Sequence, residues 1–226
     1  LILARLLRWD RATTGCLLLL VPLGNTSFLG IPMVQAFFGD QAIAYALLYD
    51  QLGSFLALTS YGSLILALYG SGDQRPTMMT VVKKALVFPP FLALVLALIF
   101  KFFFSYPPLA VNLLTILAAT LVPLVMIAVG FQMTLRLERT VISPLSLGLA
   151  IKLIIAPLTA WLVCQAAGLQ GEAVEVAIFE AGMPPMVSAG ALAISANLSP
   201  ALTAALVGIG IIVSFATLPI LYQLLL

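Results

Sequence analysis

The chain has 226 residues, of which 63% are hydrophobic and 8% charged, with a mean hydropathy of +1.20. Soluble domains carry about 25% charged residues, so this composition excludes a soluble globular protein and specifies a polytopic membrane protein. The net charge is +2 and histidine is absent; the latter excludes HExxH zinc sites, Ser-His and Cys-His nucleophile pairs and haem ligation by histidine.

Arg5, Arg8 and Arg11 precede the first apolar run and imitate a signal peptide. The run continues through a polar break with no small-x-small cleavage site, so residues 1–11 read as a cytoplasmic loop. A crossing needs roughly 20 apolar residues, and seven segments qualify.

The first segment covers about 13–38 and is interrupted by Gly24-Asn25-Thr26-Ser27-Phe28-Leu29-Gly30-Ile31-Pro32. Three consecutive polar residues, flanked by helix-weakening Pro22, Gly24, Gly30 and Pro32, predict a discontinuous helix. In lipid a broken backbone is tolerated only where protein or a water-filled cavity satisfies the freed groups. Asn25, Thr26 and Ser27 are expected to cap the second half.

Asp40 is the expected cap of the second segment, about 42–69, which carries Asp50 between Tyr49 and Gln51. Gly70 to Pro76 reads as a turn. The third segment, about 82–104, contains Pro89-Pro90, and Tyr106-Pro107-Pro108 ends it. The fourth covers about 110–134, with Gln132 at its end. Ser143-Pro144 is expected to open the fifth, about 145–167, as Ser cap and first-turn Pro. Lys152 lies two turns into it, where snorkelling to the cytoplasmic interface is the favoured reading.

The sixth segment, about 173–197, holds the second interruption, Ala181-Gly182-Met183-Pro184-Pro185-Met186-Val187-Ser188-Ala189-Gly190, with Glu180 just ahead of it. Pro184 and Pro185 are expected to start its second half. Ser199-Pro200 opens the seventh, about 201–225. Cys16 and Cys164 lie within apolar runs and read as small packing residues.

Eight basic residues (Arg5, Arg8, Arg11, Arg75, Lys83, Lys84, Arg136, Arg139) fall on one side, against Lys101 on the other. The positive-inside rule makes the first side cytoplasmic and puts the C-terminus outside. The aromatic cluster 102–106 and Trp161 then fall toward the outer interface. The two broken segments run in opposite directions. An offset of about 160 residues pairs Gly30 with Gly190, Ala36 with Ala196, Ala44 with Ala204, and Ser54-Phe55 with Ser214-Phe215. The pattern predicts an inverted repeat. Residues 1–69 would be the last two helices of one five-helix repeat, and 82–226 the whole of the other.

Two broken helices approaching from opposite sides bring positive dipole ends together, which suits an anionic group. Intramembrane Asp50 and Glu180 are candidate ion-coupling acids, with Asp50 the first choice as proton carrier. Tyr49-Asp50 resembles half of an intramembrane aspartyl protease site, but Gly208-Ile209-Gly210 lacks the second acid. A retinal protein needs a lysine on its last helix, where this chain has none.

Gly24 to Pro32, Phe38-Gly39-Asp40-Gln41-Ala42, Tyr49-Asp50-Gln51-Leu52-Gly53 and Met183 to Gly190 together resemble the auxin efflux carrier family in its bacterial permease branch. The resemblance implies an all-α, ten-helix inverted-repeat transporter of which seven helices are present here, the first three being absent. A transport domain would rock or slide against a scaffold. It implies a substrate site at the crossover, whose positions Asn25, Pro184 and Pro185 match; Thr26, Ser27, Gly30, Pro32 and Ser188 are the further candidate substrate-binding residues beside them. The cargo would be a small organic anion such as auxin, malate or malonate. The expected setting is the bacterial inner membrane, with a proton or sodium ion as coupling partner, a homodimer as the assembly, and no cofactor, metal, nucleic acid or catalysis. The alternative is a non-transporting membrane sensor or a degenerate transporter fragment.

Overall fold

A computed structural model describes residues 4, 6–70, 89–103, 106–120, 124, 127 and 141–225. The basic residues Arg5, Arg75, Lys83, Lys84, Arg136 and Arg139, and Gln132, lie outside them. The described residues are mostly helical. In chain order the helices are α1 (Arg11–Leu20), α2 (Thr26–Phe38), α3 (Asp40–Tyr69), α4 (Pro89–Phe103), α5 (Pro108–Ala119), α6 (Ile142–Ala166), α7 (Glu172–Ala181), α8 (Val187–Ser195) and α9 (Pro200–Leu225). Among the described residues α3, α6 and α9 are long and apolar enough to cross a bilayer alone.

Both interruptions appear where the sequence places them. The first segment divides into α1 and α2, and the sixth into α7 and α8. The core divides in the same way. One cluster joins Leu19 and Leu20 of α1 to Ala189 and Ala193 of α8 and to Leu202, Leu206 and Ile211 of α9. The other joins Leu29 and Val34 of α2 to Val176 and Phe179 of α7 and Leu218 of α9. Phe37, Phe38, Phe179 and Tyr222 interlock there, with ring centroids 5.0–6.5 Å apart. The halves have exchanged partners, α1 with α8 and α2 with α7. Two crossing broken helices require that, and unbroken α9 spans both clusters.

Several local expectations are corrected. Gly39, with φ +88°, stands at the entry to α3, and Asp40 instead accepts from Gln35 Nε2 at 2.8 Å. Val141 precedes α6 and Ser143 makes no cap. Pro108 belongs to the first turn of α5 rather than only ending what precedes it. Cys16 is a buried packing residue with its sulfur 3.1 Å from Thr203 Oγ1. Lys101 and Trp161 are exposed.

Three apolar helices, two of them long, contain wide, π-type turns: Thr26–Gly30 in α2, Tyr49–Phe55 and Leu58–Gly62 in α3, and Ile151–Ile155 in α6. Such turns occur frequently at functional sites. The one in α2 lies just before Pro32, whose missing N–H prevents a regular turn.

Candidate functional site

The crossing is made by backbone, in a two-strand fragment one residue pair long. Gly24 pairs antiparallel with Pro185. The flanking groups make the hydrogen bonds: Asn25 N–H donates to Pro184 O at 2.7 Å, and Met186 N–H donates to Leu23 O at 2.9 Å. In an antiparallel pair of this kind the two opposed residues use no N–H of their own. Proline at 185 therefore costs no bond, and glycine at 24 permits the close approach. Each break satisfies the other, as a backbone interruption in lipid requires.

Two helices start from this crossing. Helix geometry leaves the first N–H groups of α2 and of α8 without intrahelical partners; their first backbone bonds are Gly30 N–H to Asn25 O and Gly190 N–H to Met186 O, at 2.9 and 3.0 Å. Pro184 and Pro185 lie in the extended crossing, and α8 begins only at Val187, which corrects their placing as its first turn. Asn25, Thr26 and Ser27 do not cap α2 through their side chains either. Thr26 Oγ1 and Ser27 Oγ both donate to Asp50 Oδ1, at 2.6 and 2.5 Å, and Gln51 Nε2 donates to Asp50 Oδ2 at 2.7 Å. The wide turn of α3 thus brings Asp50, 2% exposed, to the start of α2.

Asn25 is 1% exposed, and its side-chain Nδ2 has no hydrogen-bond partner. It lines a cavity of about 30 Å³ with Ser27, Phe28, Asp50, Phe55, Leu58, Met186 and Ser188. A water needs about 10–15 Å³ and a benzene-sized cavity is about 150 Å³, so the site as it stands admits water and nothing larger. Gly30 and Pro32 are buried beside the crossing but do not line this cavity. Pro184 and Pro185 are buried in the crossing and do not line it either.

The opposite flank carries a second group of buried charges. Glu180, the penultimate residue of α7, is 0% exposed. A Cβ on Gly30 would lie 2.7 Å from its Oε1, so glycine at 30 makes room for the carboxylate. Lys152, in the wide turn of α6, is 3% exposed and donates from Nζ to Ala181 O at 3.2 Å. Snorkelling is overturned: the ammonium turns inward and sits on the C-terminal end of α7, where backbone carbonyls concentrate negative charge. Sequence reasoning left Lys152 out of the site. Its depth of two turns was the available signal, and the wide turn that points it inward was not legible.

The crossing therefore offers hydrogen-bond donors on one flank and a buried acid and a buried base, not bonded to each other, on the other. No cluster of three metal-ligating side chains occurs among the described residues.

A family model described as membrane transport protein matches residues 1–222. The chain is similar to an uncharacterized transporter of Methanothermobacter thermautotrophicus, 30% identical over 211 residues that cover 93% of this chain and 68% of that protein. It is also similar to an uncharacterized transporter of Methanocaldococcus jannaschii, 28% identical over 174 residues, 75% of this chain and 55% of that one. The matched part thus amounts to between about half and two thirds of each relative's length.

Proposed function

Because the chain belongs to the membrane transport protein family, we propose that it is a secondary carrier of the auxin efflux carrier type, moving a small organic anion such as a carboxylate across the cell membrane. The observation that carries this reading is the buried Nδ2 of Asn25, a donor without a partner at the point where two helix N-termini meet. A site furnished with N–H donors and positive dipole ends recognises anions. Each dipole end contributes about 0.3–1 kcal/mol, up to about 2 when partly buried. That suits a mono- or dicarboxylate held loosely enough to be released.

In this reading Asn25, the first-turn N–H groups and Ser188 bind the carboxylate. Thr26 and Ser27 reach it through Asp50, while Gly30, Pro32, Pro184 and Pro185 hold the backbone in shape. Asp50 and Glu180 are the ion-coupling candidates. The cavity must open for cargo to enter, by the halves of the crossing moving together against a scaffold. Residues 1–69 close one inverted repeat, 82–226 form the other, and the C-terminus lies outside.

The test is uptake of labelled acetate, malonate, malate and indole-3-acetate into proteoliposomes containing the complete gene product. We expect saturable accumulation of at least one, abolished by collapsing the ion gradients. Uptake of none above protein-free vesicles would overturn the reading.

A further inference from the structure

The three ionisable groups buried around the crossing are treated differently by the fold. Asp50 accepts from three donors, on Thr26, Ser27 and Gln51. Lys152 gives its ammonium to the Ala181 carbonyl. Glu180 has nothing: it is fully buried and neither carboxylate oxygen has a partner. Such oxygens are rare in native interiors and call for a functional explanation. Room is not the obstacle, since Gly30 lies bare against the carboxylate.

The groups facing Glu180 are few. From α3 come Tyr49 and Asp50, and from α6 comes Lys152, all within electrostatic reach of it. Of the elements packed against α7, the second half of α6 carries Cys164, α9 carries Tyr222, the start of α3 carries Asp40 and Tyr45, and α2 carries no titratable side chain. Fully ionised, Asp50, Glu180 and Lys152 sum to one excess negative charge before any anion arrives. An anion site can be filled only if that excess is removed.

We propose that Glu180 is the loading site for the coupling cation, a proton, and that the Lys152 ammonium held on the adjoining Ala181 carbonyl is its exchange partner. On loading, one carboxylate oxygen forms an O–H bond with a proton from solvent. On release that bond breaks, the proton returns to solvent, and the ammonium turns from Ala181 O to the carboxylate. Lys152 keeps its proton throughout. Gly24 leaves the ammonium its space, for a Cβ there would lie 3.1 Å from Nζ. Asp50, with its oxygens already engaged by three donors, holds Thr26 and Ser27 in place. The inference deepens the carrier reading and rests on it for what the proton is coupled to.

Infrared pH-difference spectra of the purified chain in lipid nanodiscs test it directly, near neutral pH where surface acids stay ionised. We expect a protonated-carboxyl band that grows on acidification in the wild type and in Asp50→Asn and is missing in Glu180→Gln. In Lys152→Gln the band should persist but appear at a different pH. A band that survives in Glu180→Gln, or disappears in Asp50→Asn, overturns the proposal. So does a band that responds to Na⁺ at constant pH instead of to pH, which would make sodium the coupling ion. Should Glu180→Gln fail to fold, Glu180→Asp should shift the band's frequency, and an unshifted band overturns the proposal equally. In proteoliposomes, Glu180→Gln should exchange labelled malonate at equal concentrations yet fail to accumulate it under a pH gradient. If the wild type carries no carboxylate, the carrier reading falls while the spectra still decide Glu180.

Discussion

At Asn25 an amide donor is buried and left unused. Removing it takes no hydrogen bond from the resting protein, so Asn25→Ala should melt at the same temperature as the wild type or slightly above. A hydrogen bond to a charged group is worth about 1.5–3 kcal/mol. Carboxylate affinity should therefore fall roughly 10- to 100-fold, and unchanged affinity would remove Asn25 from the site. Gly30 makes the opposite experiment. A methyl group there meets the Glu180 carboxylate, and overpacking typically costs about 1–3 kcal/mol. Gly30→Ala should lower the melting temperature, and adding Glu180→Ala should recover part of the loss; strictly additive losses would mean that the two do not touch. Asn25, Thr26 and Ser27 were legible in the sequence because polar residues in an apolar run have few explanations. Their partners were not. That Thr26 and Ser27 answer to Asp50 instead of capping a helix depends on a contact more than twenty positions along the chain. The inward turn of Lys152 depends on a neighbour still farther away, Ala181.

Among the elements, the breaks were legible and the bridge between them was not. Proline and glycine mark where a helix must stop, but the register in which two interrupted backbones meet is a property of the pair. That register makes a sharp prediction. Position 185 uses no N–H, whereas Met186 N–H bonds to Leu23 O. Pro185→Ala should keep the crossing, and Met186→Pro should break it, leaving a buried carbonyl unpaired at about 1–3 kcal/mol. Hydrogen exchange at the Asn25 amide reads the difference, slow in the first variant and fast in the second. Equal protection in both would contradict the register. The wide turns escaped sequence reading for a different reason. Over five to seven residues a π-type turn and an α-turn share nearly the same apolar pattern, and only tertiary packing selects between them.

For the whole molecule, the proposed orientation rests on the distribution of basic residues in the sequence. In a cysteine-free background, a single cysteine placed at Leu169 should react with an impermeant thiol reagent added outside intact cells, and one at Gln74 should not. Labelling at Gln74 with none at Leu169 would reverse the topology. Membrane class followed from composition because each crossing must be apolar along its own length, and three of the seven expected crossings stand among the described residues as helices long and apolar enough for it. The division of the core into two clusters required knowing that the halves exchange partners.

The backbone bridge also imposes a schedule on synthesis. The polar groups of Leu23 and Asn25 are satisfied by Pro184 and Met186, which leave the ribosome on the order of 160 residues later. At about 5–20 residues per second, the first interruption waits roughly 8–30 s for its complement. During that interval it must stay hydrated, inside the insertion machinery or at the lipid headgroups, because hydrocarbon offers its amides nothing. A nascent chain halted before Glu172 should leave position 25 open to water-soluble thiol reagents, and one carried past Gly190 should close it. The later interruption of this chain thus completes the earlier one.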